Sequence, residues 1–393
     1  MNKKISISEI LFYIPYIIWL ILCILQQTYY RNELNLNLFF NIVNIILYIF
    51  LFFKILIEDK YSFKSLIAFL VMCLLFFVKI NSKVPFLIDT FLLIYSARNI
   101  NVREIIKVTF FIEIFMIIFI ILSSYLGIIK NDIWYRDNLS IRYGLGYVYT
   151  TFLANYYFHI VLMYLYLKNN YKFKITEGII IIFLNYIIYK YTDTKAVYYL
   201  INLIVVFALV LNLKKKSIKE YKIFSFFIKY CFPISALISI FASINFNQYN
   251  QIYYFFNNIL TDRLILGHTA FNNYGIKLFG QQIVWTVGRS GIDRPSDSVY
   301  NFVDCAYLNI ALAYGIIILI FLCLGFVLIG KIAIKNNDKY LCLVLIFLAI
   351  HSITDPQLIE LRYNPFLFMF GVFFFKNYNF GKNNFLPSYR NYN

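Results

Sequence analysis

Apolar residues run along this chain in long stretches separated by short polar connections. About twelve runs can be drawn: residues 10–27, 36–57, 65–80, 84–97, 105–127, 145–167, 175–190, 196–212, 224–245, 305–329, 340–353 and 363–376. The longest match the roughly 20 apolar residues that cross about 30 Å of hydrocarbon as a helix. No segment shows the alternation of a membrane barrel strand. The pattern predicts an all-α polytopic membrane protein of about 12 transmembrane helices, forming a single integral membrane domain over residues 1–393.

One connection breaks the rhythm. Residues 246–304, between the ninth and tenth runs, form a polar insert far longer than an ordinary loop. It is too rich in Tyr, Phe, Leu and Ile to read as disordered. Within it, "TDRLILGHTAFNNYG" carries Leu264, Phe271 and Tyr274 at helical spacing, behind Thr261 or Asp262 as N-cap and ahead of a glycine stop at Gly275. This predicts a short amphipathic helix near the outer membrane surface, followed by a turn at Gly280. "SVYNFVDCAYLNIALAYG" reads as the start of the next span, with Tyr300, Asp304, Tyr307 and Ala311 on one helical face.

Composition agrees with a membrane protein: 61% of the 393 residues are hydrophobic and only 14% charged, against about a quarter charged in soluble domains. The net charge of +17 does not point to nucleic acid, because lysines gather in short connections such as "KKKSIKEYK" (214–222), where they set membrane orientation. "MNKKISISEI" ahead of the first run predicts a cytoplasmic N-terminus and a retained anchor; an even number of spans then places the C-terminus on the same side. The six cysteines lie without pairing or metal-ligand spacing and read as small core residues. Asp89, Glu113 and Lys229 fall inside apolar runs, where an unpaired charge costs at least a few kcal/mol, so an internal pair such as Glu113 with Lys229 is expected over an ion pathway.

Sorted on this topology, the inner basic residues are nearly all lysine, whereas Arg31, Arg136, Arg142, Arg263, Arg289, Arg294 and Arg362 fall outside. Arginine's planar fork suits bidentate binding of phosphate or carboxylate. The outer face is therefore expected to hold an anion. Walker A, Rossmann and HExxH patterns are absent from the sequence, as is an internal repeat of the kind transporters show.

"RLILGHTAFNNYGIKLFGQ" followed by "YNFVDCAYLNIALAYGIIILI" resembles the C-terminal half of bacterial oligosaccharide repeat-unit polymerases (Wzy), in the O-antigen polymerase and ligase superfamily. "HSITDPQLIELRYNPFL" (351–367) resembles that family's last outer loop. "RYGLGYVY" (142–149) resembles an R-x-G-L-G-F segment, although Tyr149, Thr150 and Thr151 stand where H-P-N is common. "YTDTKAVYY" (191–199) resembles a T-x-S-R segment, with Lys195 in place of arginine. The resemblance implies a GT-C-like fold in the bacterial plasma membrane, with 246–304 as an extracytoplasmic catalytic loop. It also implies a metal-independent inverting glycosyltransferase, without cofactor, that polymerises polyprenyl-diphosphate-linked repeat units into capsular, O-antigen or exopolysaccharide chains. Membrane lipid, a flippase and a chain-length regulator of the same pathway would be its partners. A ligase of the same superfamily shares this chemistry; a polysaccharide flippase or transporter is the alternative from another class.

Such chemistry needs cations for a leaving diphosphate and a base for the acceptor hydroxyl. Arg263, which opens the amphipathic helix, is the first candidate for the diphosphate, against a surface pair with Asp262. Arg142, Arg289, Arg294 and Arg362 are further candidates; local pairing with Asp293 or Asp297 competes at Arg289 and Arg294, and a salt bridge with Glu360 or Asp355 at Arg362. For the base, Asp304 competes with His268 and Asp355, and Asp304 is favoured because ligase relatives often carry histidine there. Tyr300 and Tyr307 are candidates for stacking on sugars, although the chain holds 36 tyrosines.

Overall fold

In the computed structural model, residues 6–34, 36–58, 63–135, 140–168, 171–213, 217–286 and 300–375 are described. In chain order the helices are α1 (Ile7–Leu25), α2 (Tyr30–Glu33), α3 (Leu36–Glu58), α4 (Phe63–Ser82), α5 (Leu87–Ser96) and α6 (Val102–Tyr125). A small antiparallel hairpin of β1 (Ile133–Tyr135) and β2 (Ile141–Tyr143) follows. Then come α7 (Phe152–Lys168), α8 (Ile175–Thr192), α9 (Lys195–Leu213), α10 (Lys222–Ile244), α11 (Gln251–Ile259) and α12 (Arg263–Tyr274). After residue 300 the chain forms α13 (Ala306–Asn309), α14 (Ile316–Lys335), α15 (Lys339–His351) and a 3₁₀ stretch over Pro365–Phe373.

Among the described residues, seven helices are long and apolar enough to cross a membrane: α1, α3, α4, α6, α9, α10 and α14. This is an all-α membrane architecture. The other apolar runs of the sequence are helical too, but α5 has ten residues and α15 thirteen, or about 15 and 20 Å at 1.5 Å per residue. They are short because they are buried in protein and have no need to match the bilayer.

The layering follows from which faces are apolar. α7 is mostly apolar or aromatic on every side and is buried continuously from Leu153 to Met163, with Asn155 and His159 enclosed among them, as expected of a helix without a charged outer face. α15 and Pro365–Gly371 are buried beside it. Tyr156 of α7 stacks on Tyr363 at 4.3 Å, and Phe158 stacks on His351 at 4.1 Å. Around this centre, α3, α4, α6 and α10 turn Phe52, Phe69, Phe115 and Phe241 outward. Exposed apolar surface on this scale fits lipid and not water. The expected Glu113–Lys229 pair does not form. Glu113 is buried on α6 with neither carboxylate oxygen hydrogen-bonded, while Lys229 on α10 lies over the Tyr230 ring at 4.4 Å.

The tenth run differs most from its sequence reading. Residues 300–305 are not helical, so the predicted face of Tyr300, Asp304, Tyr307 and Ala311 does not exist. α13 is followed by one π turn over Ile310–Tyr314, and Gly315, at φ +97°, breaks the helix before α14. A break among buried residues frees backbone groups that must find partners within the protein. The segment after α12 supplies the partners: Ile316 N donates to Lys277 O at 3.0 Å, Gln281 N to Ala313 O at 3.1 Å, and Gln281 Nε2 to Leu312 O at 3.3 Å.

The two strands of chain touch through glycines. A Cβ on Gly315 would lie 2.4 Å from Gly280 N and Leu278 O, and one on Gly280 (φ +75°) would lie 2.3 Å from Ala313 O. Gly127 shares the left-handed φ (+73°) but has open space where a Cβ would go. Gly315→Ala is therefore expected to lower stability by more than the roughly 1–3 kcal/mol of backbone strain alone, and Gly127→Ala by that strain only. The apparent melting temperatures of the two variants in detergent should separate accordingly.

Candidate functional site

The site begins at the corner between α11 and α12. Thr261 and Asp262 both adopt left-handed backbone (φ +50° and +64°), unfavourable for residues with a Cβ. Asn257, buried on α11, holds the corner: its Nδ2 donates to Asp262 Oδ1 at 2.7 Å and its Oδ1 accepts from Ile265 N at 3.1 Å. The helix predicted after this corner is present and stops at Gly275, but its buried face is Leu264, Gly267 and Ala270. Gly267 lets α12 approach Ser243 of α10 and Leu308 closely. Asp262 occupies the N-cap position without a side-chain cap bond.

Arg263, first residue of α12, ties three regions together. Its Nε donates to Thr354 O at 3.0 Å and lies 3.6 Å from Asp304 Oδ2, while Nη1 donates to Leu260 O and to the Thr261 hydroxyl. Arg263 and Asp304, adopted separately from the sequence, are therefore neighbours.

Asp304 lines a cavity of about 510 Å³, within the range of small-ligand sites. Its walls come from the end of α1 (Gln26, Gln27) with Arg31, from Phe86, from the start of α7 with the preceding turn (Tyr149, Thr151, Phe152, Asn155), from Tyr300 and Phe302, and from Asp355, Glu360 and Arg362. Aromatic rings thus share the cavity with two guanidinium groups and three carboxylates. Arg362 is held firmly: its Nε donates to Glu360 Oε2 at 2.7 Å, Nη2 reaches the same oxygen, and the guanidinium lies 5.2 Å from the Phe86 ring centre. The local salt bridge weighed for Arg362 is present, at the cavity wall.

Asp355 accepts from Asn155 Nδ2 at 2.6 Å and from Gln357 N at 3.1 Å. Burial, with the Asp304 charge as a second cause, pushes its carboxyl up to about 8. Asp304 is also raised by burial, but Arg263 opposes the shift. Gln27 is placed by two buried hydroxyls, Tyr156 OH and Tyr363 OH, which donate to its Oε1 at 2.7 and 2.6 Å.

The remaining candidates fall elsewhere. His268 binds the Ser243 and Ile244 carbonyls through Nδ1 at 3.0 and 3.1 Å, and Asn272 through Nε2 at 3.0 Å. Nδ1 thus holds α12 to the end of α10, Nε2 is taken up within α12, and His268 does not line the cavity. Tyr307 is fully buried and donates to Ala349 O at 2.9 Å; with residues 300–305 non-helical, it does not share a face with Tyr300 and is not placed to meet a glycan. Arg142, on β2, donates from Nε to Thr192 O at 2.8 Å. It stands near a second, polar cavity of about 470 Å³ lined by Ser140, Tyr189, Asp193, Lys195, Asn258, Thr261 and Asp262. Arg289 and Arg294, like Arg136, lie outside the described residues.

No pattern in the chain singles out Gln27 or Asn155 as wall residues. Asn155 and Asp355 are 200 positions apart, and Gln27 sits at the end of an ordinary span. The Tyr149–Thr151 triplet was visible only as a departure from the H-P-N pattern, and it does reach the cavity.

The raised Asp355 carboxyl has a consequence for stability. An unfolded chain releases this proton near pH 4, whereas the folded protein keeps it to about pH 8. The folded state thus binds more protons across that window, so this group's contribution to stability is full below about pH 4 and lost as pH rises through about 8. Asp355→Asn removes the titration; its melting temperature relative to the unmutated protein is expected to rise from pH 5 to pH 8.5.

No family model matches the chain, and comparison with curated proteins and with solved structures likewise gives no match.

Proposed function

We propose that this chain is a glycosyltransferase that joins saccharide units carried on a lipid diphosphate, working in the cavity beside the Arg263–Asp304 pair. The observation that carries the reading is that Asp304, paired with Arg263 behind it, and Asp355 line one cavity walled by aromatic residues. Those residues come from the segments that resemble the repeat-unit polymerases: 263–281, 300–320 and 351–367.

The reaction asks for little beyond what these groups supply. An acceptor hydroxyl oxygen attacks the anomeric carbon of the donor sugar, the bond from that carbon to the diphosphate oxygen breaks, and the hydroxyl proton passes to a base. Asp355 suits the base role better than Asp304. Its hydrogen bonds come from Asn155 and Gln357 and the Arg263 charge acts on it only weakly, and a proton affinity near working pH is the effective choice for general-base catalysis. Asp304 instead orients Arg263. Arg31, Arg263 and Arg362 supply positive charge for the departing diphosphate, and losing one such donor typically costs about 10²–10³ in rate. The aromatic residues Tyr149, Phe152, Tyr300 and Phe302 offer apolar faces for sugar rings. Polymerisation on the outer face of a bacterial plasma membrane is the form of this reaction the resemblance favours; a ligase would use the same groups for a single transfer.

Lipid-linked repeat units extracted from cells lacking this protein, incubated with purified protein in vesicles, should give a ladder of glycan lengths on a gel. One added unit without a ladder would mark a ligase, and no transfer at all would remove the reading. Arg263→Ala and Arg263→Lys are both expected to lower ladder formation about 10²–10³-fold, since lysine keeps the charge and loses the fork. Asp355→Asn is expected to lose transfer while still binding the donor.

A further inference from the structure

Just before the Arg263 corner, α11 carries a surface that no described residue covers. Ile252, Phe255, Phe256 and Ile259 are 67, 61, 50 and 60% exposed. Their spacing of i, i+3, i+4 and i+7 puts them in one stripe about 100° wide. The other two faces of the helix have clear partners. Asn257 points into the protein and holds the corner, with Tyr253 beside the Phe246 ring. Gln251, Tyr254 and Asn258 form the remaining exposed face, and Asn258 lines the 470 Å³ polar cavity. A helix of nine residues therefore divides its circumference between protein, a polar cavity and an apolar stripe.

We propose that α11 is an in-plane membrane anchor, with the Ile252–Phe255–Phe256–Ile259 stripe seated among the acyl chains of the leaflet on the cavity's side. Two observations choose lipid as the occupant. The stripe follows a lipid-facing surface along the chain: α10 is long and apolar enough to cross the membrane, exposes Leu237, Ile238 and Phe241 near its end at Ile244, and is joined to α11 by six residues. The stripe is also too small for a stable protein partner. Its four side chains offer on the order of 450 Å², where a stable interface buries about 800 Å² per partner.

The anchor has a mechanical consequence. Asn257 joins α11 to Asp262 and Ile265, so the depth of α11 in the leaflet sets the position of the corner and of Arg263. The polar cavity on the helix's other exposed face is then held at the membrane surface. This inference is independent of the reaction proposed above.

Phe255→Trp and, separately, Asn258→Trp in the full-length protein test it, after reconstitution into phosphatidylcholine vesicles with or without bromine on the acyl chains. Emission is read as the difference from the unmutated protein, which carries three tryptophans. Phe255→Trp is expected to lose most of its added emission in brominated vesicles, at every lipid-to-protein ratio, and Asn258→Trp to keep it. Phe256→Trp, on the same stripe, should follow Phe255→Trp and covers a folding failure of either variant. Equal emission in both vesicle types for the stripe variants would overturn the anchor. Quenching that appears only as the protein is diluted with lipid would overturn it too, by marking the stripe as a contact between copies of the chain.

Discussion

Much of this structure depends on backbone hydrogen bonding where water is scarce. The break at Gly315 takes the helical partners from the Leu312 and Ala313 carbonyls and the Ile316 and Ile317 amides, and a buried peptide group left unpaired costs about 1–3 kcal/mol. The segment 275–281 lies against the break and pairs with it. That pairing fixes where the chain leaving α12 must run. It also separates α13 from α14, so residues 300–305 need not continue a membrane helix and can lie across the cavity mouth. The position of Asp304 beside Arg263 follows from this arrangement more than from either residue's own preference. Glycine at both contact points is a steric demand, since a Cβ at either would fall within 2.4 Å of backbone.

The electrostatics of the mouth build on that geometry. A guanidinium and a carboxylate 3–4 Å apart near a protein surface attract by about 4 kcal/mol before desolvation is charged against them. Asp304 receives this attraction from Arg263, and Asp355 does not to the same extent. Both carboxyls are pushed up by burial, and the difference between them is partnership. Two carboxylates facing one cavity are thus set apart in proton affinity, the condition under which similar groups take different roles. Arg362 is divided in the same way: Glu360 takes its Nε and Nη2, and Phe86 takes its face.

How much of this was legible in the sequence varied with the kind of interaction. Helices stood out because apolar runs report burial in lipid or core directly; the run at 105–127 became α6 and that at 224–245 became α10 with small shifts at the ends. Membrane crossing was less legible. A run of apolar residues looks the same whether it faces lipid or packs inside, so α5 and α15 read as spans although they are too short. The helix at 263–274 was visible through its spacing and its glycine stop, but α11 was not, since it is only nine residues long and its stripe merges into a polar insert. Arg263 and Asp304 were each singled out, whereas the contact between them rests on the break at Gly315, and helical periodicity argued the wrong way there. His268 is a different case: its nitrogens bind two carbonyls at the end of α10 and the Asn272 amide, contacts that its sequence position does not reveal.

The convergence of distant chain regions on one cavity has a simple cause. α7 is buried along most of its length, its polar residues Asn155 and His159 included, and the elements that enclose it meet at its N-terminal end. α1 ends there with Gln27, which is held by Tyr156 of α7 and Tyr363 of the last segment. Residues 352–364 close over the same end, and Asp355 reaches Asn155 one turn into α7. Each of these contacts satisfies a buried polar group, which would be costly to leave unpaired. The network that stabilises the buried end of α7 is therefore also what orients the cavity wall. A substitution in it, such as at Tyr156 or Asn155, acts on stability and on the geometry of the site through the same hydrogen bonds.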